Sequence, residues 1–145
     1  TRQLAPGEIL RAMETGEQNL FDALPDLVEM RPMGEGFTWD TQDRARDIAK
    51  VREAWEAAKA RIMDPEWKMV VCDELNIALR YDYLPVEEVL DVVASRPADT
   101  HVVITRPDGR YAPPPLVEAA ALVTDMQMVK HPFRAGVKAQ AGVEF

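Results

Sequence analysis

The sequence holds one cysteine, Cys72, in 145 residues. That excludes an intrachain disulfide framework and a multi-cysteine zinc site. His101 and His131 are the only histidines, and neither has a partner at metal-ligand spacing. Positive charge is scarce: 17 Lys plus Arg stand against 25 Asp plus Glu, for a formal net charge of −8. Binding to a nucleic-acid backbone requires clustered cations, so nucleic acid is not an expected partner. No apolar run approaches the roughly 20 residues that cross a bilayer, so no membrane span is expected. The serine nucleophile elbow is missing. So is the phosphate-cradling G-x-x-x-x-G-K-[ST] loop: none of the seven glycines is followed by Lys-Ser or Lys-Thr.

What is present is a globular chain, 47% hydrophobic and 29% charged, long enough for one domain with a real core. We expect a single α/β domain over 1–145. Thr1-Arg2-Gln3-Leu4 lacks the charged-then-apolar opening of a secretory signal, and the lone cysteine fits a reducing compartment. The first residue is not methionine, and the expectation is either a processed chain or the C-terminal portion of a longer one.

Hydrophobic periodicity orders the elements. Ile9, Leu10 and Met13 suit one face of a short helix, and Leu27–Met30 a short strand before the Met33-Gly34-Glu35-Gly36 break. Ile48, Val51, Trp55, Ala58 and Ile62 recur at steps of three and four, the stripe of an amphipathic helix. Asp40 or Thr41 can cap it, with Asp43 in its first turn and Pro65 marking its end. Met69–Cys72 and Val102–Thr105 are unbroken apolar runs, the pattern of strands buried on both faces. Between them a helix follows Pro85, with Val86, Val89, Leu90 and Val93 on one face, and ends at Arg96-Pro97. Four prolines and one glycine make residues 106–115 a loop. Leu116–Ala121 suits a short helix. Leu122–Val129 alternates Met126 and Met128 with Asp125 and Gln127, the pattern of a third strand. Strands alternating with helices imply a parallel sheet with flanking helices.

Three places carry candidate chemistry. Asp73-Glu74 closes the first apolar strand, at the sheet end where α/β folds bind ligands. A carboxylate pair there suits Mg²⁺, which takes oxygen ligands; equally, either residue suits a helix cap. Phe37 and Trp39, in Gly36-Phe37-Thr38-Trp39, fall on one side of an extended segment. They suit a movable wall over a flat ligand or ordinary core packing. Lys130-His131-Pro132-Phe133-Arg134-Ala135-Gly136-Val137-Lys138-Ala139-Gln140 is a basic segment in an acidic chain, fit for an anion or a polar ligand rim, or for a solvated arm.

These pieces occur together and in order: Gly36-Phe37-Thr38-Trp39-Asp40-Thr41-Gln42-Asp43, Val70-Val71-Cys72-Asp73-Glu74-Leu75, Tyr81-Asp82-Tyr83-Leu84-Pro85, and Val129 through Gln140. In this the chain resembles the ATP:corrinoid adenosyltransferases of the cobalamin pathway, a P-loop type family, from about Thr15 to Phe145. The resemblance implies a P-loop NTPase (RecA-like) related fold, here lacking the first strand and the phosphate loop. It implies transfer of the 5′-deoxyadenosyl group of ATP to the cobalt of a reduced corrinoid, with release of triphosphate. Phe37 and Trp39 match aromatics that displace the lower axial base of cobalt. Glu74 matches a magnesium ligand, with Asp73 beside it. Gly109-Arg110 matches part of a Thr-Gly-Arg turn, and Thr38, Lys130, Phe133 and Lys138 fall in motifs implied to bind corrinoid or nucleotide. A cytoplasmic homodimer served by a reductase is implied as well. The sequence departs from the family by the absent phosphate loop, by Arg106-Pro107-Asp108 inserted before Gly109, and by Ala121 where an Asp is expected. Those departures leave an alternative: a non-catalytic corrinoid-binding relative, or a partner subunit without its own ATP site.

Overall fold

The computed structural model describes residues 16–33, 43–105 and 112–138. The expected Ile9–Met13 helix, the Phe37/Trp39 segment and Gly109-Arg110 lie outside these residues. The elements in chain order are α1 (Gly16–Asp22), α2 (Arg44–Ile62), β1 (Met69–Cys72), α3 (Leu75–Arg80), α4 (Val86–Ser95), β2 (His101–Ile104), α5 (Pro114–Ala119) and a 3-10 turn, Pro132–Ala135. The chain forms two compact units. One draws on residues up to Pro32 and from Met128 onward, and the other runs Met33–Gln127.

The second unit carries both strands and the core. Helix α2 forms along the expected stripe, with Trp55 and Ile62 buried and Val51 and Ala58 packed against the core. Its N-cap is Asp43, not Asp40 or Thr41: the Asp43 carboxylate accepts the Arg46 N–H at 3.1 Å. The N-cap geometry satisfies one of the amide groups that a helix start leaves without a partner. The helix stops at Met63, two residues before Pro65. Strands β1 and β2 pair in parallel, Met69 with His101 through Cys72 with Ile104. Helices α3 and α4 form the crossover between them. The turn into β2 is fixed by Thr100, which is buried: its hydroxyl donates to the Trp67 carbonyl at 2.9 Å. Arg96 ties the same turn to the end of α4, donating to the Thr100 carbonyl at 2.9 Å and the Val93 carbonyl at 2.6 Å.

Three expectations need correction. The strands are not buried on both faces. Val70, Cys72, Val102 and Ile104 face the core, whereas Met69, Val71 and Val103 are exposed; an unbroken apolar run says only that both faces are apolar. No strand forms over Leu122–Val129 or over Leu27–Met30. A strand exists only with a pairing partner, and among the described residues neither segment has one. Helix α5 begins two residues earlier than expected, at Pro114, because proline is tolerated in a first turn.

The core joins α2, β1, α3, α4 and α5 through Trp55, Ile62, Cys72, Leu79, Leu84, Val89, Val92 and Leu116. A part-exposed polar tie at the edge of the core links α2 to α4. Glu88, in the first turn of α4, accepts from Arg52 at 2.6 Å and from the Trp55 indole N–H at 2.8 Å. The Arg52 hydrogen bond, aided by that from Trp55, holds the Glu88 carboxyl below its ordinary 4.5. The pairing therefore stabilises the fold fully above that value, and the stabilisation is lost as pH falls through the lower folded-state value. Glu88→Ala leaves the buried indole N–H without its acceptor. We expect a loss of about 1–3 kcal/mol at neutral pH in urea unfolding. The gap to wild type should narrow once the pH drops below 4.5. A gap that stays constant down to strongly acidic pH would refute the role of the carboxylate.

Candidate functional site

Asp73 and Glu74 leave β1 at its carboxyl end, and Thr105 leaves β2 at the same end, because Cys72 pairs with Ile104 in the parallel register. The Thr105 hydroxyl donates to Asp73 Oδ1 and accepts the Glu74 backbone N–H at 3.0 Å. The Asn76 amide, on the first turn of α3, donates to the Thr105 carbonyl at 3.3 Å. One threonine thus holds together the ends of two strands and the start of the next helix.

Glu74 precedes α3 in a left-handed conformation, φ 58° and ψ 16°. For an L-residue with a full side chain this conformation is costly. Its carboxylate makes no capping hydrogen bond to the helix it precedes, which removes the cap as the reason for a carboxylate here. Both acidic residues are exposed. Asn76 is buried, and its Oδ1 has no partner among the described residues.

This donor set suits Mg²⁺. The oxygens left over are all hard ones: those of the two carboxylates and the orphaned Asn76 amide oxygen, the Thr105 hydroxyl being taken up by its two hydrogen bonds. No group of three or more His, Cys, Asp or Glu that fits a metal is present among the described residues. A cation held only by protein would need more ligands, but Mg²⁺ on a nucleotide commonly takes one or two carboxylates, with phosphates and waters completing the shell.

Lys130 and Lys138 are exposed and flank the Pro132–Ala135 turn, in the other compact unit from Asp73 and Glu74. Phe133 lies within that turn, and its side chain is outside the described set. Gly136 closes the turn at φ +78°, which explains a glycine in the motif: side chains rarely adopt that conformation. Phe37, Thr38, Trp39, Gly109 and Arg110 are outside the described residues. Cys72 is buried, and burial pushes its thiol up to about 11, so it stays protonated near neutral pH. His101 opens β2 on the exposed side. Among the described residues no helix is long and apolar enough to cross a membrane.

Sequence reasoning placed Asp73 and Glu74 at the sheet end but missed Thr105 and Asn76 as their supports. The sequence carried no signal for them: the runs as read, Met69–Cys72 and Val102–Thr105, would pair Asp73 with Arg106, and only the observed register, Cys72 with Ile104, brings Thr105 beside Asp73.

Known proteins resemble this chain over most of its length. The family described as ATP:corrinoid adenosyltransferase BtuR/CobO/CobP matches residues 8–145. A corrinoid adenosyltransferase of Pseudomonas aeruginosa is 53% identical over 134 residues, covering 92% of this chain and 64% of the relative. One from Sinorhizobium is 53% identical over 136 residues, covering 92% and 62%. One from Escherichia coli K12 is 45% identical over 130 residues, covering 90% and 64%. The chain thus spans a little under two thirds of the length of these relatives. A match that takes in both strands, the carboxylate pair at their carboxyl ends and the terminal basic motif leaves one conclusion: the chain belongs to the ATP:corrinoid adenosyltransferase family.

Proposed function

We propose that the protein transfers the 5′-deoxyadenosyl group of ATP to the cobalt of a reduced corrinoid. The observation that carries this reading is the family match across residues 8–145. In the reaction, cobalt(I) of the corrinoid substrate attacks the ribose 5′ carbon with its electron pair. The carbon–oxygen bond to the triphosphate breaks, triphosphate leaves with those bonding electrons, and cobalt is formally cobalt(III) in the product.

The residues divide the work. Phe37 and Trp39 remove the lower axial base from cobalt; losing that donor makes the metal easier to reduce. Glu74, with Asp73, holds Mg²⁺ through carboxylate oxygens. Bound there, the cation supplies neutralisation of the charge on the triphosphate leaving group. Thr38, Gly109, Arg110, Lys130, Phe133 and Lys138 bind corrinoid or nucleotide. The reading extends to one domain related to P-loop nucleotide-binding folds, acting in the cytoplasm as a homodimer with a reductase supplying electrons.

Anaerobic incubation with Mg-ATP and chemically reduced corrinoid tests it, with absorbance following the cobalt–carbon bond. Conversion by the 145-residue chain, or by a longer protein that contains it, is the expected result. No conversion by either overturns the reading.

A further inference from the structure

We propose that Thr105 is a positioning residue for the cation held at the end of β1. Through its hydroxyl it fixes the Asp73 carboxylate and the Glu74 backbone in the arrangement that presents their oxygens to the metal. The inference rests on the reading of Asp73 and Glu74 given above, and it adds a residue that touches neither substrate nor metal.

Asp73 and Glu74 follow the last paired residue of a four-residue strand. Beyond Cys72 the two strands share one further backbone bond, from the Thr105 N–H to the Cys72 carbonyl at 3.3 Å. Without another tie the two acidic residues would be free to sample several backbone states, and a cation site would carry that ordering cost on binding. The Thr105 hydroxyl removes the freedom at two points. Its proton goes to Asp73 Oδ1, so the carboxylate is oriented and its other oxygen is left for a ligand. Its lone pair takes the Glu74 N–H at 3.0 Å, which helps hold Glu74 in its left-handed conformation. The threonine is itself braced, since Asn76 donates to its carbonyl. A hydroxyl is the one small group that both donates and accepts in this way, so valine, with the same shape, cannot replace it. Such outer ties commonly change metal affinity by about 10–100-fold when removed.

The test uses Mn²⁺ as a paramagnetic probe in place of Mg²⁺, read by selective broadening of amide signals in the 145-residue chain. Wild type should show broadening centred on Asp73 and Glu74. Thr105→Val should weaken Mn²⁺ binding by about tenfold or more. It should also speed hydrogen exchange at the Glu74 amide while amides in α2 keep their protection. Thr105→Ser, which restores the hydroxyl, should bind Mn²⁺ within about twofold of wild type. Thr105→Ala stands in for the valine variant if the latter does not fold. Equal Mn²⁺ affinity in wild type and Thr105→Val overturns the proposal. So does failure of Thr105→Ser to recover binding, or the absence of localised broadening in wild type. The adenosylation assay keeps the two claims apart. Hydroxyl-dependent Mn²⁺ binding without adenosylation leaves the positioning role and removes the catalytic reading. Adenosylation with no effect of Thr105→Val does the reverse.

Discussion

Trp55→Ala should cost about 3–5 kcal/mol of stability, the range for removing a large aromatic from a core. Trp55 is only 2% exposed and sits at the centre of the packing between α2 and the helices around it. Truncation removes the ring and leaves a cavity lined by apolar neighbours that a helical framework closes only in part. It also strips Glu88 of one of its two donors. A domain of ordinary stability has only about 5–15 kcal/mol in total, so the variant should approach its unfolding transition at modest urea concentrations. Trp55→Phe separates the two effects: it keeps a ring in the core and removes the indole N–H, with an expected loss of about 1–3 kcal/mol. A cycle with Glu88→Ala should be non-additive, because both single changes break the same hydrogen bond. Urea unfolding of wild type, Trp55→Ala, Trp55→Phe, Glu88→Ala and the Trp55→Phe/Glu88→Ala double variant decides the matter. Additive losses, or a Trp55→Ala cost below about 0.5 kcal/mol as at an ordinary surface position, would mean that this contact does not hold α2 and α4 together.

How much of this was legible beforehand depends on the range of the interaction concerned. The α2 stripe from Ile48 to Ile62 was readable because a helix makes its bonds within itself and its sequence period reports directly on the face it buries. The two apolar runs at Met69 and Val102 were readable as a parallel pair, since the intervening helix supplies the crossover that parallel pairing needs. The alternation of Met126 and Met128 with Asp125 and Gln127 is as strand-like as either run, yet no strand forms there. Alternation states which side chains share a face and says nothing about whether a neighbouring strand is present to accept the backbone bonds. The same limit governs the site. Asp73 and Glu74 were legible as carboxylates at a strand end. The Thr105 tie joins residues 31 and 32 positions apart, and it follows only once the register of the sheet is known. The left-handed backbone of Glu74 carried no signal at all, because glycine, the residue that normally marks such a conformation, is not there.

Glu74→Gly should separate stability from activity, moving the first up and the second down. At φ 58° an L-residue carries a penalty of about 1–2 kcal/mol, which glycine escapes. Part of that gain returns to the unfolded chain through the greater freedom of glycine, so the net stabilisation should be about 0.5–1 kcal/mol in urea unfolding. The same change removes a carboxylate assigned to the cation, and adenosylation should fall by about 100-fold or more, the scale at which losing one preorganised electrostatic group shows in turnover. Glu74→Gln supplies the complementary control. It keeps the backbone penalty and discards the charge, so it should match wild type in stability and Glu74→Gly in lost activity. Mn²⁺ binding should weaken in both variants. The pattern matters more than either number, for a residue kept only to start α3 would show the same gain in stability with no loss of activity. Its carboxylate makes no bond to the helix, and replacing it would then relieve strain at no cost to turnover. Glu74→Gly with raised stability and intact adenosylation would therefore reduce Glu74 to an ill-suited helix start. Raised stability with lost adenosylation would identify its strained backbone as a cost retained for the sake of the site.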